Sequence, residues 1–251
     1  MSSIIHVTLD DLNNAGPIGR SINNILQPGE FQNNRHVRSP IPATNHINVL
    51  FYASHPNAPI PFPQPTSLPD AIVKRIREDI KDAEALFEAK CGKTIKLRGV
   101  WREWDFVATS DKLDPTAPQV TTPEDLYPRV EQNLSYFPEI SIFIWYILGD
   151  YLPDPKSNEV FGRNYSFAPQ RNFHIILITE KAARYTLAHE LGHALNESNI
   201  NGPKDDPDPD PDPDERNHNK NPDNLMYKKA GGSEITEDQC NQFFESSIIR
   251  P

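Results

Sequence analysis

The 251-residue chain has little positive charge and no long hydrophobic run. Its 25 Lys and Arg residues stand against 35 Asp and Glu residues, which gives a formal net charge of −10 at pH 7. This balance argues against nucleic acid, which requires clustered basic residues, and against an anionic membrane surface. The longest apolar segment, 140–148, is far shorter than the about 20 residues of a membrane span. We therefore expect neither a nucleic-acid partner nor a membrane span.

Cysteine is also scarce, since Cys91 and Cys240 are the only two. Two cysteines are too few for a disulfide scaffold, and the sequence leaves open whether they pair or remain buried thiols. The N-terminal segment MSSIIHVTLDDLNNAG has no basic region followed by an apolar stretch, so no signal peptide is visible. We favour secretion or export without such a signal over a cytoplasmic location, and we expect a monomer.

Proline is in excess, because 25 of the 251 residues are proline, about twice the usual share of about 5%. Residues 1–45, rich in Asn, Pro and Ser, are expected to form an irregular N-terminal arm that partly packs on one domain, 46–251. The acidic, DP-rich insertion 200–217 contains too many prolines for a helix or an inner strand, so we expect a bare solvated loop. A docking strip for a basic partner and a Ca²⁺-binding loop remain open, but Ca²⁺ would require the loop to fold back, which proline resists.

Hydrophobic patterns predict an α+β or mixed α/β domain, with a mixed sheet covered by helices. The expected strands are 47–52, 95–107, 140–148 and 173–179. Helices are expected from a capping box at Ser67 and Asp70 to Gly92, near 123–134, from about Glu180 and from a capping box at Thr236 and Gln239. The segment ISIFIWYIL (140–148) lacks polar–apolar alternation, which is typical of a strand buried on both faces.

The segment TLAHELGHALN (186–196) carries the strongest chemical signal. His189 and His193 are four residues apart, so on a helix they point from the same face and can share one metal ion. Glu190 lies beside them as a candidate base, which is the HExxH arrangement of zinc hydrolases. Gly192 inside the helix costs about 1 kcal/mol relative to Ala, so we expect another group to approach closely there.

A second motif, Asn224-Leu225-Met226-Tyr227, follows the acidic tract and precedes the helix ITEDQCNQFFES. Together with HELGH on the second long helix, this order resembles the metzincin clan of zinc metallopeptidases over roughly residues 46–249. NLMY resembles the Met-turn, whose methionine, here Met226, lies beneath the zinc, in a form closest to matrixin-like members.

The resemblance implies a zincin-like domain: a twisted, mostly parallel sheet with an antiparallel edge strand, two long helices and a C-terminal helix. It implies a zinc-dependent endopeptidase with one catalytic Zn²⁺, acting on a peptide or protein substrate. Glu190 would be the general base and acid for a zinc-bound water. Substrate would lie along an edge strand at 162–169, with Gly162, Tyr165 and Phe167 as binding residues, and Tyr227 would begin a pocket wall at 227–231.

The chain departs from the metzincin pattern HExxHxxGxxH, which would place Gly at 196 and His at 199. Asn196 and Asn199 stand there, and a neutral amide oxygen is a poor zinc ligand. The next histidine is His218, six residues before Asn224. The resemblance therefore implies His189, His193 and His218 as the metal ligands, with the acidic insertion between helix and third ligand, where loop length has little effect.

Two other functions remain open. One is a zinc-binding or interaction module without catalysis, against which Glu190 argues because a structural site does not require it. The other is a zincin with an acidic third ligand from Glu234, Glu237 or the Asp run. A protein in which HELGH is accidental would bind no metal at all.

Overall fold

The computed structural model describes residues 5–7, 45–53, 70–103, 126–135, 137–147, 149–150, 152, 160–167 and 173–251. Most of the predicted N-terminal arm lies outside these ranges. The last residues of the expected edge strand, 168–169, also lie outside them.

The described strands form one mixed sheet. They are β1 (Ile5–Val7), β2 (His46–Ala53), β3 (Lys96–Glu103), β4 (Ile142–Tyr146), β5 (Gly162–Ser166) and β6 (His174–Ile178), in the spatial order β1-β3-β2-β4-β6-β5. The four central strands are parallel to one another, whereas β1 and β5 are antiparallel to their neighbours. The prediction of a mixed α/β fold with a mostly parallel sheet and an antiparallel edge strand is confirmed. β1, the described part of the N-terminal arm, lies at the edge opposite β5.

Within the described residues, four α-helices accompany the sheet: α1 (Asp70–Cys91), α2 (Tyr127–Leu134), α3 (Thr186–Glu197) and α4 (Glu237–Phe244). Gly92 ends α1 in a left-handed conformation with φ of 63°, and the capping box of α4 is present as predicted. The expected start of α3 near Glu180 is wrong. Tyr185 has a φ of 70°, which no helical residue adopts, so the helix begins only at Thr186. Within the described residues, no helix has the length and apolar character needed to cross a bilayer.

Strands β2, β4 and β6 are covered on both faces. On one face, the apolar sides of α1, α3 and α4 pack together with strand residues such as Val49 and Ile144. On the other, Val130 of α2 packs in a cluster with residues such as Leu50 and Phe143. All five residues of β4 are buried, which confirms the expectation of a strand with two buried faces.

A disulfide joins Cys91, the last residue of α1, to Cys240 of α4, with the Cα atoms 5.3 Å apart. The same two helices meet in an edge-to-face contact of Phe87 and Phe243, whose ring centroids are 5.9 Å apart. The cysteines are separated by 149 residues along the chain. A cross-link over such a loop restricts the unfolded chain and stabilises the fold by about 4–5 kcal/mol in the chain-entropy description.

Removing the disulfide should therefore destabilise the fold. We expect the double variant Cys91→Ser/Cys240→Ser to lose about 2–5 kcal/mol in free energy of unfolding, measured by denaturant titration without reductant. Reductant should bring the natural protein to the same midpoint and leave the double variant unchanged. An unchanged midpoint in the double variant would contradict the stabilising role.

Candidate metal centre

α3 places two imidazoles side by side inside the protein. Residues 186–196 of this helix are all buried, because it lies between the sheet, α1 and α4. His189 and His193 are only 3% and 6% exposed, and their Nε2 atoms are 3.0 Å apart. Two Zn–N bonds of about 2.0–2.1 Å at a tetrahedral angle would separate the nitrogens by about 3.4 Å. The helix alone thus brings two nitrogens close to the separation of neighbouring zinc ligands.

His218 joins this pair from the segment after the acidic tract. Its ring centroid lies 5.6 Å from that of His189 and 4.9 Å from that of His193. One ligand nitrogen from each of the three histidines lies within 4.8 Å of the others. The prediction that these three side chains come together is confirmed, and they form a possible metal-binding triad.

The side chain of Asn199 is bonded to α4 and to the turn after α3. Its amide nitrogen donates to the backbone oxygen of Gln242 in α4 at 3.1 Å, and its side-chain oxygen accepts from the backbone N–H of Asn201 at 2.9 Å. The side chain therefore ties the end of α3 to α4. Both polar atoms of this side chain are thus engaged in bonds within the protein.

The proposed acidic ligands also lie elsewhere. Glu234 pairs with Lys90 at 2.8 Å, and Glu237 is an exposed residue in the first turn of α4. Glu215, from the acidic tract, has a carboxylate oxygen 2.8 Å from Nδ1 of His218. The two atoms are close, but Nδ1 of His218 makes no hydrogen bond within the described part of the chain.

The protonation state of the triad suits a cation. Nδ1 of His189 lies 2.6 Å from the backbone oxygen of Leu225, which can only accept, so Nδ1 carries the proton and Nε2 keeps its lone pair. Burial lowers the pKa of His189 and of His218 to about 4, and it lowers the pKa of His193 well below the ordinary value. Three neutral imidazoles in a buried site fit the donor set that Zn²⁺ prefers.

The NLMY motif forms a tight turn against α3. The N–H of Tyr227 donates to the backbone oxygen of Asn224 at 3.1 Å, and the side-chain oxygen of Asn224 accepts from the N–H of Met226 at 2.8 Å. Met226 is fully buried against Gly192, where an added Cβ would lie 2.3 Å from its sulfur. The close approach expected at Gly192 is thus made by Met226, and the next carbonyl in the turn, that of Leu225, orients His189.

Glu190 faces the outer strand β5. Its carboxylate accepts a hydrogen bond from the backbone of Asn164, and burial raises its pKa to about 8 against the opposing effects of that bond and of Arg163. At Gly162 an added Cβ would lie 2.8 Å from a carboxylate oxygen of Glu190 and 2.5 Å from a methyl carbon of Thr186. Glycine at 162 therefore lets the strand pass next to the carboxylate beside His189.

The other predicted substrate-binding residues are distributed over different surfaces. Tyr165 and Phe167 pack against the cluster on the α2 side of the sheet, and Phe167 stacks on Phe173 with ring centroids 5.0 Å apart. Only Gly162 of the three predicted strand residues is next to Glu190. Tyr227 lines a cleft of about 460 Å³, together with Pro222, Asp223 and residues 229–234.

Sequence reasoning missed two residues on the α3 side of β5. The amide of Asn164 donates to the carboxylate of Glu197 at 2.9 Å, and Ser166 also hydrogen-bonds to Glu197. These residues share the face of Gly162, because side chains alternate along a strand. The sequence GRNYS places residues 162, 164 and 166 on one face of a strand, so knowing that Gly162 faces α3 would have indicated Asn164 and Ser166 as well.

The acidic tract is not the bare loop that its composition predicts. The N–H of Asp206 donates to the backbone oxygen of Arg216 at 3.0 Å, and the N–H of Asp210 donates to that of His218 at 2.7 Å. Side-chain oxygens of Asp206, Asp210 and Asp212 each accept a hydrogen bond from the backbone N–H two residues further along. The residue between is proline in each case, and it has no N–H that would require a partner of its own. The tract runs back along the segment that carries His218.

No protein-family profile matches the chain, and no curated protein matches its sequence. Among the described residues, the three histidines are the group whose ligand atoms converge.

The contact of Gly192 with Met226 predicts that the effect of Gly192→Ala on the free energy of unfolding depends on whether Met226 is present. We expect Gly192→Ala to destabilise the protein by about 1–3 kcal/mol through overpacking, although alanine favours a helix by about 1 kcal/mol. In a Met226→Ala background the sulfur and methyl of Met226 are gone, and the added methyl meets Phe243 at an ordinary 3.4 Å, so the same substitution should be neutral or stabilising. Denaturant unfolding of all four proteins measures this, and an equal loss in both backgrounds would contradict the contact.

The triad predicts a clear difference between two residues. His218→Ala should lower zinc affinity by at least about 100-fold, because even outer-shell changes cost 10–100-fold. Asn199→Ala should bind zinc nearly as tightly as the natural protein, since its amide contacts α4. Competition with a chromophoric chelator measures both, and full zinc occupancy in the folded His218→Ala protein would exclude His218 as a ligand.

Proposed function

We propose that the chain is a zinc-dependent endopeptidase of the metzincin-like, zincin type. The observation that carries the proposal is the convergence of three neutral histidines, two buried and one partly buried, with Glu190 adjacent to His189 and directed towards the edge strand β5. A tight turn that buries Met226 beneath the same helix adds to the resemblance in sequence.

The chemistry divides between the metal and Glu190. A zinc ion held by the three imidazoles would supply Lewis-acid activation of water and of the scissile carbonyl. Glu190 accepts a proton from the water as its oxygen adds to the carbonyl carbon. The same carboxyl group then gives the proton to the amine nitrogen as the C–N bond breaks. The bond from the backbone of Asn164 holds the carboxylate beside β5 for both transfers.

The position of β5 supports a peptide or protein substrate. It is the terminal strand of the described sheet, and its only partner among the described strands is β6. An extended peptide that adds to such an edge gains backbone hydrogen bonds independently of its side chains. Because Gly162 brings the strand close to Glu190, a peptide on that edge lies near the reacting groups.

A second candidate is a zinc-binding module without catalysis. The bond between the backbone of Asn164 and Glu190 favours it, because a carboxylate that ties α3 to β5 also serves a purely structural purpose. The two functions differ in what the loss of the Glu190 charge does, so one substitution distinguishes them.

The disulfide supports the proposal that the protein acts outside a reducing compartment. Disulfides persist in secreted and exported proteins and are rare in the cytosol. The Cys91–Cys240 bond joins two helices of the face on which the metal centre lies.

The endopeptidase proposal is tested with the zinc-loaded full chain and an unstructured protein as substrate. We expect a chelator to abolish cleavage and added zinc to restore it. Glu190→Gln should lower kcat/KM by about 10²–10⁴-fold while zinc affinity stays within a few-fold, because the carboxylate is not a ligand.

Two results would argue against it. If the zinc-loaded natural protein cleaves no member of a broad peptide library, the chain is not a general endopeptidase. Retention of activity by a zinc-loaded Glu190→Gln protein would remove Glu190 from the reaction. His218→Ala is the matched control, since it should lose both zinc and activity.

A further inference from the structure

Asp206 differs from the other residues of the acidic tract. It is 3% exposed, whereas its neighbour Asp205 is exposed. Its carboxylate accepts from the N–H of Asp208 at 2.9 Å, from the side-chain amide of Asn219 at 2.7 Å and from that of Gln239 at 2.5 Å. Burial of a carboxylate is costly unless its oxygens are hydrogen-bonded, and here both are. This residue is part of the interior of the domain.

The first connection leads to the third histidine. Asn219 follows His218 directly and is 1% exposed. Besides the bond to Asp206, its backbone N–H donates to the oxygen of Met226 at 2.8 Å, and its side-chain oxygen accepts from the N–H of Asn221 at 2.9 Å. Asn219 is thus held from three directions, which limits where His218 can place its ring.

The second connection leads to the turn that orients His189. The side-chain oxygen of Gln239 accepts from Asn224, and its nitrogen lies 2.9 Å from the side-chain oxygen of Asn224. Asn224 begins the turn in which the carbonyl of Leu225 accepts from His189. The segment that carries His218 and the turn that orients His189 are therefore both tied to one carboxylate, that of Asp206.

We propose that Asp206 is a positioning residue for the metal centre, which sets His218 against His189 through Asn219 and Gln239. The inference rests on the proposed zinc site but concerns a residue that does not contact the metal. On this view the acidic tract is the arm that carries the third ligand. Deletion of the tract would then weaken zinc binding, contrary to the small effect expected of a bare insertion.

The test is a double-mutant cycle on zinc affinity, measured by chelator competition on the full chain. Asp206→Ala should lower affinity by about 10–100-fold, as outer-shell changes typically do. The matched control Asp205→Ala removes the same charge one residue away and should change affinity less than about twofold. In a His218→Ala background, Asp206→Ala should have a clearly smaller further effect, because only the connection through Gln239 to the turn that orients His189 then remains.

A spectroscopic readout accompanies the cycle. Co²⁺ replaces Zn²⁺ as a probe, and its visible absorption depends on the number and geometry of the ligands. The Asp206→Ala spectrum should shift towards that of His218→Ala, whereas Asp205→Ala should keep the natural spectrum. If Asp206→Ala does not fold, Asp206→Asn retains one acceptor oxygen and loses the acceptor for Gln239 or Asn219, and a smaller shift in the same direction is expected.

Three outcomes overturn the proposal. The first two leave the proposed zinc site standing, whereas the third overturns that site as well. Equal zinc affinities in folded Asp206→Ala and Asp205→Ala proteins would remove the positioning role while leaving the metal site intact. Equal losses from Asp206→Ala with and without His218 would assign Asp206 to general stability. Failure of the natural protein to bind zinc would overturn the metal site itself, and this inference with it.

Discussion

The contact between Met226 and the bare Cα of Gly192 is the constraint on which the site depends. It allows the turn 224–227 to press against the middle of α3, with no room for a methyl group between them. The turn consequently brings the carbonyl of Leu225 within 2.6 Å of His189, which sets the tautomer of that imidazole. The packing of Met226 and the orientation of His189 therefore depend on the same turn. The internal glycine that permits this packing lowers the helix propensity of α3.

α3 meets different surroundings on each of its sides. Its apolar residues, such as Leu191, complete the core against the sheet, while His189 and His193 face the segment that carries His218. Glu190 faces β5, where Gly162 leaves space for it. A helix so enclosed holds its imidazoles neutral, because burial disfavours their charged forms. The same enclosure would strengthen electrostatic interactions with a bound cation.

A network of buried polar side chains connects the acidic tract and the turn 224–227 to α4. Asp206, Asn219, Asn224 and Gln239 are each at most 3% exposed, and their side chains bond to one another. Such a network stabilises one arrangement only when its members are satisfied. It links the acidic tract, the turn 224–227 and α4, and the disulfide at Cys240 holds α4 to α1. The third histidine of the candidate metal centre is thus held by segments that have little regular secondary structure, whereas the other two lie on α3.

Local patterns determined the parts of this protein that depend on near neighbours. The capping box of α4, the glycine after α1, the doubly buried β4 and the pair His189 and His193 follow from spacing and propensity alone. The resemblance to metzincins also indicated His218, which the structure brings to the pair. Only the tertiary structure decided that Cys91 and Cys240 pair, and that Asp206 rather than Asp205 is buried. It also placed the late start of α3 at Thr186. These features depend on distances between segments far apart along the chain, and composition and periodicity carry no information about those distances.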